Sequence, residues 1–250
     1  MRILLANPNT TQAMTDRMAG IARAQVPEGV EVVPVTADRG FPYIASRAEA
    51  QVAGAILLET IATHAEDVDA VVIAAYGDPG LAAARELFDL PVIGMAEAAM
   101  LTAAMLGERF AIVTFSPVMR RWYTDGVRDA GLAARFVGLR TPPDHGADLD
   151  GVRDTLRDEL RGLCERAAVE DGADVVILGG APLAGLAPEI QGAVRVPLVD
   201  PISAAAAQAV ALAGLVTPGT LARRRTKPLG KEARGLPPKL AARFAGGAKE

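Results

Sequence analysis

Short apolar runs rich in Val and Ile recur along the chain, and longer helical patterns separate them. The predicted strands cover residues 3–6, 30–35, 71–75, 92–94, 110–115, 175–178 and 198–199, and the clearest helical patterns cover residues 11–24, 48–63, 117–130 and 149–169. Continuous apolar strands that alternate with helices are typical of a parallel sheet covered on both faces. The pattern therefore predicts an α/β fold.

Three segments from the first half of the chain are repeated in the same order in the second half. Residues 69–73, 77–82 and 90–94 read DAVVI, GDPGLA and LPVIG, and residues 173–177, 181–186 and 196–200 read ADVVI, APLAGL and VPLVD. The shared order indicates a duplicated unit. We predict two pseudo-symmetric α/β lobes, residues 1–105 and 106–216, with a cleft between them. Each lobe is expected to be a mostly parallel sheet flanked by helices, and we leave open that the C-terminal helix crosses to the first lobe.

The C-terminal part of the chain differs in charge from the rest. Residues 217–250 contain nine Lys or Arg and two Asp or Glu, whereas the first 216 residues contain 17 and 28, and the whole chain has a net charge of −4. A basic arm with Pro and Gly can bind nucleic acid, but it more often lies on its own protein or on a neighbouring subunit. We expect a small-molecule substrate, no nucleic-acid partner and a homo-oligomer.

Neither the start of the chain nor its longest apolar stretch matches a targeting or membrane segment. Residues 2–6 are too short for the apolar region of a signal sequence, and residues 202–216 fall short of the ~20 that span a bilayer. The single cysteine, Cys164, excludes an intrachain disulfide and suits a reducing compartment. We predict a cytoplasmic protein with no membrane partner.

Polar or glycine-rich turns follow four of the predicted strands. Because ligands of parallel sheets bind beyond the carboxyl ends of the strands, these turns are candidate binding segments. Each turn can instead serve only to cap the helix that follows it. The candidate substrate-binding residues are Asn7, Thr10, Tyr76, Gly77, Thr114, Ser116, Gly180 and Ala181. No spacing of His, Asp or Glu suggests a metal site, and no Gly-rich phosphate motif is present, so no metal and no cofactor are expected.

Four segments together resemble hydantoin and allantoin racemases of the Asp/Glu/hydantoin racemase superfamily. They read NPNT at 7–10, GDPGL at 77–81, PVIGMAEA at 91–98 and VILG at 176–179, and the resemblance extends from residue 1 to about residue 215. It implies a cofactor-independent enzyme in which two cysteines, one from each lobe, face the substrate from opposite sides. One thiolate removes the proton next to a carbonyl, and the other thiol supplies a proton from the far side.

This chain lacks both of those cysteines. Ala75 and Gly180 stand at the positions that the resemblance assigns to them. Cys164 falls within a helical pattern and is interpreted as a buried small hydrophobic residue rather than a reactive thiol. Racemisation by two thiols is therefore not available, and Ala75→Cys with Gly180→Cys is expected to create or raise it.

Three other residues are candidates for proton transfer. Tyr76 borders the first cysteine position, but a phenol with a pKa of ~10 is a poor base unless that value is lowered. Asp78 and Asp200 are each candidate bases, and each can instead be a helix cap. The two histidines, His64 in a turn and His145 in a loop, are poorer candidates.

The residues and the resemblance together favour a racemase- or isomerase-like enzyme without thiols. The expected substrate is a small cyclic ureide or an amino-acid-like acid, attacked at the carbon next to a carbonyl or carboxylate. The oxygen-binding turns would stabilise an enolate-like intermediate. Two alternatives remain open: a lyase, decarboxylase or hydrolase that uses the same oxyanion cradle, and a catalytically silent ligand-binding subunit.

Overall fold

Two parallel four-stranded sheets with the same strand order form the framework of the protein. The computed structural model describes residues 1–143, 151–217, 219–223 and 227–246, so His145 lies outside the described residues. The first sheet has the order β2-β1-β3-β4 and the second the order β6-β5-β7-β8. The strands are β1 (Arg2–Asn7), β2 (Glu31–Thr36), β3 (Ala70–Ile73), β4 (Val92–Gly94), β5 (Phe110–Val113), β6 (Phe136–Arg140), β7 (Val175–Leu178) and β8 (Leu198–Val199).

Helices follow the strands and cover the faces of both sheets. They are α1 (Gln12–Gln25), α2 (Arg47–His64), α3 (Leu81–Leu87), α4 (Met95–Leu106), α5 (Arg120–Asp129), α6 (Val152–Thr155), α7 (Arg157–Val169), α8 (Leu186–Ile190), α9 (Pro201–Leu215) and α10 (Pro238–Ala245). The predicted α/β class and the two parallel sheets flanked by helices are thereby confirmed. The domain boundaries stay a prediction, as does the cytoplasmic location. Among the described residues, no helix is long and apolar enough to cross a membrane.

Alternating side chains of the strands divide the core into layers. Ile3 and Leu5 of β1 face the layer that contains Met18 of α1, whereas Leu4 faces the layer that contains Leu57 of α2. This alternation follows from the two-residue period of a strand. The first layer also includes Ile177 of β7, so one continuous core joins the two sheets.

Helix α9 follows the last strand of the second sheet but packs against the first half of the molecule. It contacts α4, α1 and β3, and its small residues Ala205 and Ala209 are fully buried in the shared core. The face of α9 that carries these small residues therefore lies where α9 packs closely against other helices. The region that connects the lobes is therefore a packed interface.

One strand was absent from the sequence prediction. β6 is an edge strand of the second sheet, and most of its side chains are only half-buried. Gly138 interrupts it with a φ of 151°, and its register with β5 shifts at Phe110 and Ala111. A short, half-exposed strand with a glycine bulge lacks the continuous apolar run that identifies a buried strand.

The described part of the basic arm lies on the first lobe. Leu240 of α10 is buried with residues of α2 and α3. Lys239 Nζ donates a hydrogen bond to the carbonyl of Thr63 at 3.0 Å, and Lys227 pairs with Asp89. Some of the positive charges of the arm thus contact the acidic remainder of the same chain.

Candidate active site

The turns after β3 and β7 meet between the two lobes. The ring of Tyr76, which follows β3, lies against Gly179, which follows β7. A Cβ atom at Gly179 would lie 2.9 Å from Cζ of Tyr76, so only glycine allows this approach. The two strand ends related by the sequence repeat are therefore brought together.

The two positions that the resemblance assigns to cysteines carry no ionisable group. Ala75 is buried beside Ile44 and Trp122. Gly180 has a φ of +126° and a ψ of 132°, and a Cβ atom there would lie 2.9 Å from Cε1 of Phe115. Since L residues with a side chain rarely adopt this conformation, the backbone itself favours glycine at position 180.

Cys164 does not provide the reactive thiol that positions 75 and 180 lack. It is fully buried in α7, within the apolar layer of the second lobe. Desolvation by burial, followed by the charge of Glu165, raises the pKa of its thiol to about 12. The thiol is therefore protonated at neutral pH, which agrees with the interpretation of Cys164 as a core residue.

Buried hydroxyl groups without hydrogen-bond partners lie at the junction between the lobes, where the turns after β3 and β7 meet. The hydroxyls of Tyr76 and Thr114 have no partner among the described residues. Thr114 Oγ1 lies 3.6 Å from the Cβ position of Gly180. An unpaired buried polar group costs about 1–3 kcal/mol, so two of them at one junction point to a ligand that accepts their hydrogen bonds.

The surroundings of Tyr76 disfavour a role as a base at neutral pH. Desolvation by burial, and secondarily the negative charge of Asp78, raise the pKa of the Tyr76 phenol well above its ordinary value. The raised pKa argues against the candidate role in proton abstraction, because such a base requires a lowered pKa. A neutral phenol remains a hydrogen-bond donor, and this is the chemistry that the position offers.

Asp78 combines a structural contact with an ionisation near neutrality. Its Oδ1 and Oδ2 accept hydrogen bonds from the backbone N–H groups of Ala96 and Glu97, each at 2.8 Å. It therefore caps α4 rather than the adjacent α3, whose N-cap is Gly80. Desolvation by burial raises the pKa of Asp78 to about 7, although the two backbone hydrogen bonds oppose the shift.

The carboxylate of Asp200 accepts hydrogen bonds from backbone N–H groups of the second lobe. Oδ1 accepts from Ser203 N at 3.0 Å at the start of α9, and Oδ2 accepts from Gly185 N at 2.6 Å. Asp200 also borders the outer groove between α4 and α9. The structure thus supports the helix-cap interpretation and not the catalytic one. His64 ends α2 before β3 begins, at the opposite edge of the sheet from the candidate turns.

The turn after β1 makes most of its hydrogen bonds within the first lobe. Both amide hydrogens of Asn7 are donated within the lobe, to Asn9 Oδ1 at 3.0 Å and to Thr15 Oγ1 at 2.9 Å. The backbone N–H of Thr10 donates to the carbonyl of Phe41 at 2.9 Å. These contacts give Asn7 and Thr10 a role in shaping the turn, and they leave the Asn7 amide no free hydrogen for a ligand.

The second-lobe turns are organised by short helical segments. Ser116 is the N-cap of a 3-10 segment (Pro117–Met119), and its Oγ accepts a hydrogen bond from Val118 N at 3.4 Å. Ala181 begins another 3-10 segment (Ala181–Leu183), in which Leu183 N donates to the carbonyl of Gly180. The structure therefore brings Thr114 and Gly180 together at the junction, whereas Ser116 serves its own turn.

An adjacent pocket involves two aromatic residues that the sequence reasoning missed. The Trp122 indole lies over Gly77, where a Cβ atom would be 2.5 Å from Cζ2. The Tyr123 ring packs edge-on against Tyr76, with 4.6 Å between ring centroids. The pocket has a volume of about 330 Å³. It is lined by Tyr76, Gly77, Asp78, Leu81, Ala82, Arg85, Ala96, Glu97, Met100, Trp122, Tyr123, Gly126, Asp129 and Ala130.

A sequence signal for these aromatic residues did exist. Only 4% of the chain is aromatic, and Trp122 is its single tryptophan. Trp122 and Tyr123 lie in the first turn of α5, a helix whose other residues are mostly polar. Adjacent aromatic side chains in such a helix indicate a contact beyond the helix itself.

Ion pairs and hydrogen bonds hold the two lobes together beside the pocket. Arg47 at the start of α2 pairs with Asp125 of α5. On the other side, Arg17 Nη1 donates to the carbonyl of Pro182 at 3.4 Å. Among the described residues, no group of His, Cys, Asp or Glu is arranged to hold a metal ion.

Comparison with known proteins agrees with this arrangement. Residues 3–209 match the Asp/Glu/Hydantoin racemase family. A hydantoin racemase of Paenarthrobacter aurescens is 32% identical over 234 residues, which are 93% of this chain and 99% of the relative. The structure of allantoin racemase from Klebsiella pneumoniae is similar, with 36% identity, a TM-score of 0.82 and coverage of 92% and 96% of the two chains. That of allantoin racemase from Pseudomonas fluorescens has 31% identity, a TM-score of 0.86 and coverage of 94% and 100%. The chain therefore belongs to the Asp/Glu/hydantoin racemase family and is an enzyme of the racemase type.

Proposed function

We propose that this enzyme removes and returns the hydrogen on the carbon next to a carbonyl of a small cyclic ureide, without thiols and without a cofactor. The hydantoin and allantoin racemases that it resembles support a substrate of this class. The observation that carries the proposal is the junction itself, where Tyr76 and Thr114 present unpartnered buried hydroxyls. Such donors match the oxygen of a carbonyl group, which gains negative charge when the neighbouring carbon loses its proton.

The hydroxyl groups supply the oxyanion cradle of the proposed reaction. The Tyr76 phenol stays neutral because burial raises its pKa, so it donates a hydrogen bond over the whole physiological range. The Thr114 hydroxyl donates from the other lobe, beside Gly180. Donors that are already in place stabilise an enolate more than the ground-state carbonyl, which lowers the barrier to proton removal.

Asp78 is the proposed proton acceptor. It belongs to the same turn as Ala75 and Tyr76, and it borders the adjacent pocket. A pKa of about 7 gives comparable amounts of base and acid at neutral pH. In the proposed step the C–H bond breaks, the proton moves to the Asp78 carboxylate and the electron pair moves onto the carbonyl oxygen.

Deuterium exchange tests this proposal directly. In D₂O, the enzyme should exchange the C5 hydrogen of a 5-substituted hydantoin, as followed by proton NMR, while chiral chromatography reports inversion. Asp78→Asn should slow exchange at least a hundredfold. Asp200→Asn is the matched control, since Asp200 also accepts two backbone N–H groups beside a helix, and it should change the rate only a few fold. Equal losses in the two variants would reduce Asp78 to a structural cap, and binding without exchange would favour a silent binding subunit.

Decarboxylation is a second candidate, favoured by the asymmetry of the junction. The atoms that lie closest to the Cβ position of Gly180 belong to Phe115 and Thr114, neither of which ionises near neutrality. A site with one ionisable face suits a one-sided reaction, in which loss of CO₂ generates the enolate and one group protonates it. Release of CO₂ from a malonate-type acid, in the absence of α-hydrogen exchange on hydantoins, would establish this reaction instead.

We also propose that the enzyme is a homo-oligomer. Met105 is 86% exposed and Leu106 is 57% exposed, and both border an apolar groove between α4 and α9. Contiguous apolar surface of this kind commonly marks a contact with another protein surface. Light scattering coupled to gel filtration should therefore give a mass that is a multiple of 25.9 kDa, and a monomeric mass at micromolar concentration would contradict it.

A further inference from the structure

Contacts from β4 and α4 hold Asp78 in an unusual conformation. Among the described residues, it is the one residue other than glycine with a positive φ, of 49°. Such a conformation persists where the surrounding contacts determine it. A Cβ atom at Gly94 would overlap the carboxyl group of Asp78, so glycine is required there for the close approach. Together with the hydrogen bonds from Ala96 N and Glu97 N, this approach fixes the carboxylate at the start of α4.

An ion pair between Arg85 and Glu97 lies beside this carboxylate, in the wall of the same pocket. Arg85 Nη1 donates to Glu97 Oε1 at 2.9 Å, and Nη2 donates to Oε2. Arg85 Nε donates to the carbonyl of Val92 at 2.9 Å, which holds the guanidinium between α3 and β4. Glu97 is thus joined to Asp78 through its backbone N–H and to Arg85 through its side chain. One negative and one positive charge therefore lie next to Asp78 in fixed positions.

The other ionisable groups that face Asp78 bring little net charge. Those of the pocket wall are Tyr76, Tyr123 and Asp129. Burial raises the pKa of both phenols, so they are neutral at physiological pH. A second cavity that Asp78 borders is lined by the charged residues Arg47, Asp125, Arg128 and Asp129. Asp125 pairs with both of these arginines, so the charges of the second cavity are balanced.

Arg85 and Glu97 act on Asp78 in opposite directions. Desolvation by burial is the main cause of the raised pKa of Asp78, and the two backbone hydrogen bonds oppose it. Of the charged side chains, Glu97 raises this pKa and Arg85 lowers it. This agrees with the geometry, because a negative charge disfavours a neighbouring carboxylate and a positive charge favours it.

We propose that Arg85 and Glu97 are positioning residues for the proton acceptor: Glu97 holds the Asp78 carboxylate at the pocket, and Arg85 offsets the negative charge that Glu97 brings there. This inference rests on the proposed function, because it assigns the residues that control the charge of Asp78 in the same reaction. Neither side chain needs to touch the substrate for this role.

Neutralising each member of the pair separates this role from a purely structural one. Arg85→Met should move the midpoint of the pH profile of α-hydrogen exchange up by roughly 0.5 pH unit, and Glu97→Gln should move it down by a similar amount. At pH 5, below the midpoint, the exchange rate should then be about threefold lower and about threefold higher than in the wild type. Both substitutions break the same ion pair, so a structural loss alone would act in one direction. Glu97→Gln also keeps the backbone N–H that Asp78 accepts.

Carbon-13 NMR measures the ionisation of Asp78 without a substrate. In protein labelled at the aspartate carboxyl carbons, the signal that is missing from Asp78→Asn belongs to Asp78, and its titration midpoint should show the same two shifts. Arg85→Lys keeps the positive charge and should keep the wild-type midpoint. Glu86→Gln is the matched control, since Glu86 is exposed on α3 and does not line the pocket. It should move the midpoint by less than about 0.2 pH unit.

The signs of the shifts decide between the outcomes. Shifts in the same direction for Arg85→Met and Glu97→Gln, or no shift in either, overturn the inference. If Arg85→Met does not fold, Glu97→Gln decides alone, and an unchanged or raised midpoint refutes the inference. If the NMR midpoints move as expected but the exchange profile does not follow them, Asp78 is not the proton acceptor. The proposed function then fails, whereas the control of the Asp78 charge by the ion pair stands.

Discussion

Raising the pH from 5 to 8 should destabilise the folded protein through one partly buried carboxyl group, that of Asp78. Burial raises its pKa to about 7 in the folded state, whereas an unfolded chain has an Asp pKa of about 3.9. The folded state therefore holds one more proton between these values, and stability falls as the pH rises. The stabilisation is fully present below about pH 4 and is lost by about pH 7. The difference between the folded and unfolded pKa values corresponds to about 4 kcal/mol in the free energy of unfolding, of which about 3 kcal/mol disappears between pH 5 and pH 8.

Urea unfolding of the wild type and of Asp78→Asn at both pH values measures this contribution. The asparagine does not titrate, so the variant should lose about 3 kcal/mol less than the wild type over the same interval. Its weaker capping of α4 lowers stability at both pH values and cancels in the comparison. If the two proteins show the same pH dependence to within about 1 kcal/mol, Asp78 has an ordinary pKa and the reasoning from its burial is refuted. The rate of α-hydrogen exchange should change in the opposite direction, rising through about pH 7 as the carboxylate forms.

Three further predictions concern the core, the junction and the arm. Cys164→Ser should leave activity within a few fold but cost about 1–3 kcal/mol in urea unfolding, since a hydroxyl replaces a thiol in an apolar layer; loss of activity in a folded variant would contradict this. Gly180→Cys should cost about 1–3 kcal/mol because of the φ of +126°, and Ala75→Cys should cost little. This strain revises the expectation from the sequence that the double cysteine variant gains racemase activity: the variant should fail to racemise a hydantoin, as followed by chiral chromatography, unless Phe115→Leu makes room. Efficient racemisation without that change would show that the backbone adapts. Leu240→Ala should cost about 2–5 kcal/mol, whereas an unchanged urea midpoint would mean that the arm contributes nothing to stability.

Most of the strands were predictable from the sequence because the responsible pattern is local. A strand buried on both faces must be apolar at successive positions, and this is visible in the Val and Ile runs of β3 and β7. The repeat of three matched segments then predicted two similar halves. Strand β6 escaped detection because an edge strand is only half-buried, and half-burial leaves a weaker pattern in the sequence.

The roles of the candidate residues depended on contacts that are distant in the chain. Asp78 and Asp200 each precede a proline-containing turn or helix, so their sequences suggest the same helix-cap role. In the structure, Asp78 caps α4, 18 residues further along the chain, and its burial moves its ionisation towards neutrality. Asp200 caps the helix that it begins. Sequence reasoning had no means of separating the two, because desolvation depends on what packs over the carboxylate.

The sequence by itself determined the α/β class, the racemase-like turns and the absence of cysteine at positions 75 and 180, since these follow from residue identity and short-range periodicity. Tertiary structure alone decided that the Tyr76 ring fills the space over Gly179, that the Thr114 hydroxyl is left without a partner and that Trp122 covers Gly77. These facts concern distances between side chains of the two lobes and the water that packing excludes. Burial determines which phenol stays protonated, which carboxyl titrates near neutrality and which hydroxyl lacks a partner, and burial arises only when the whole chain has folded.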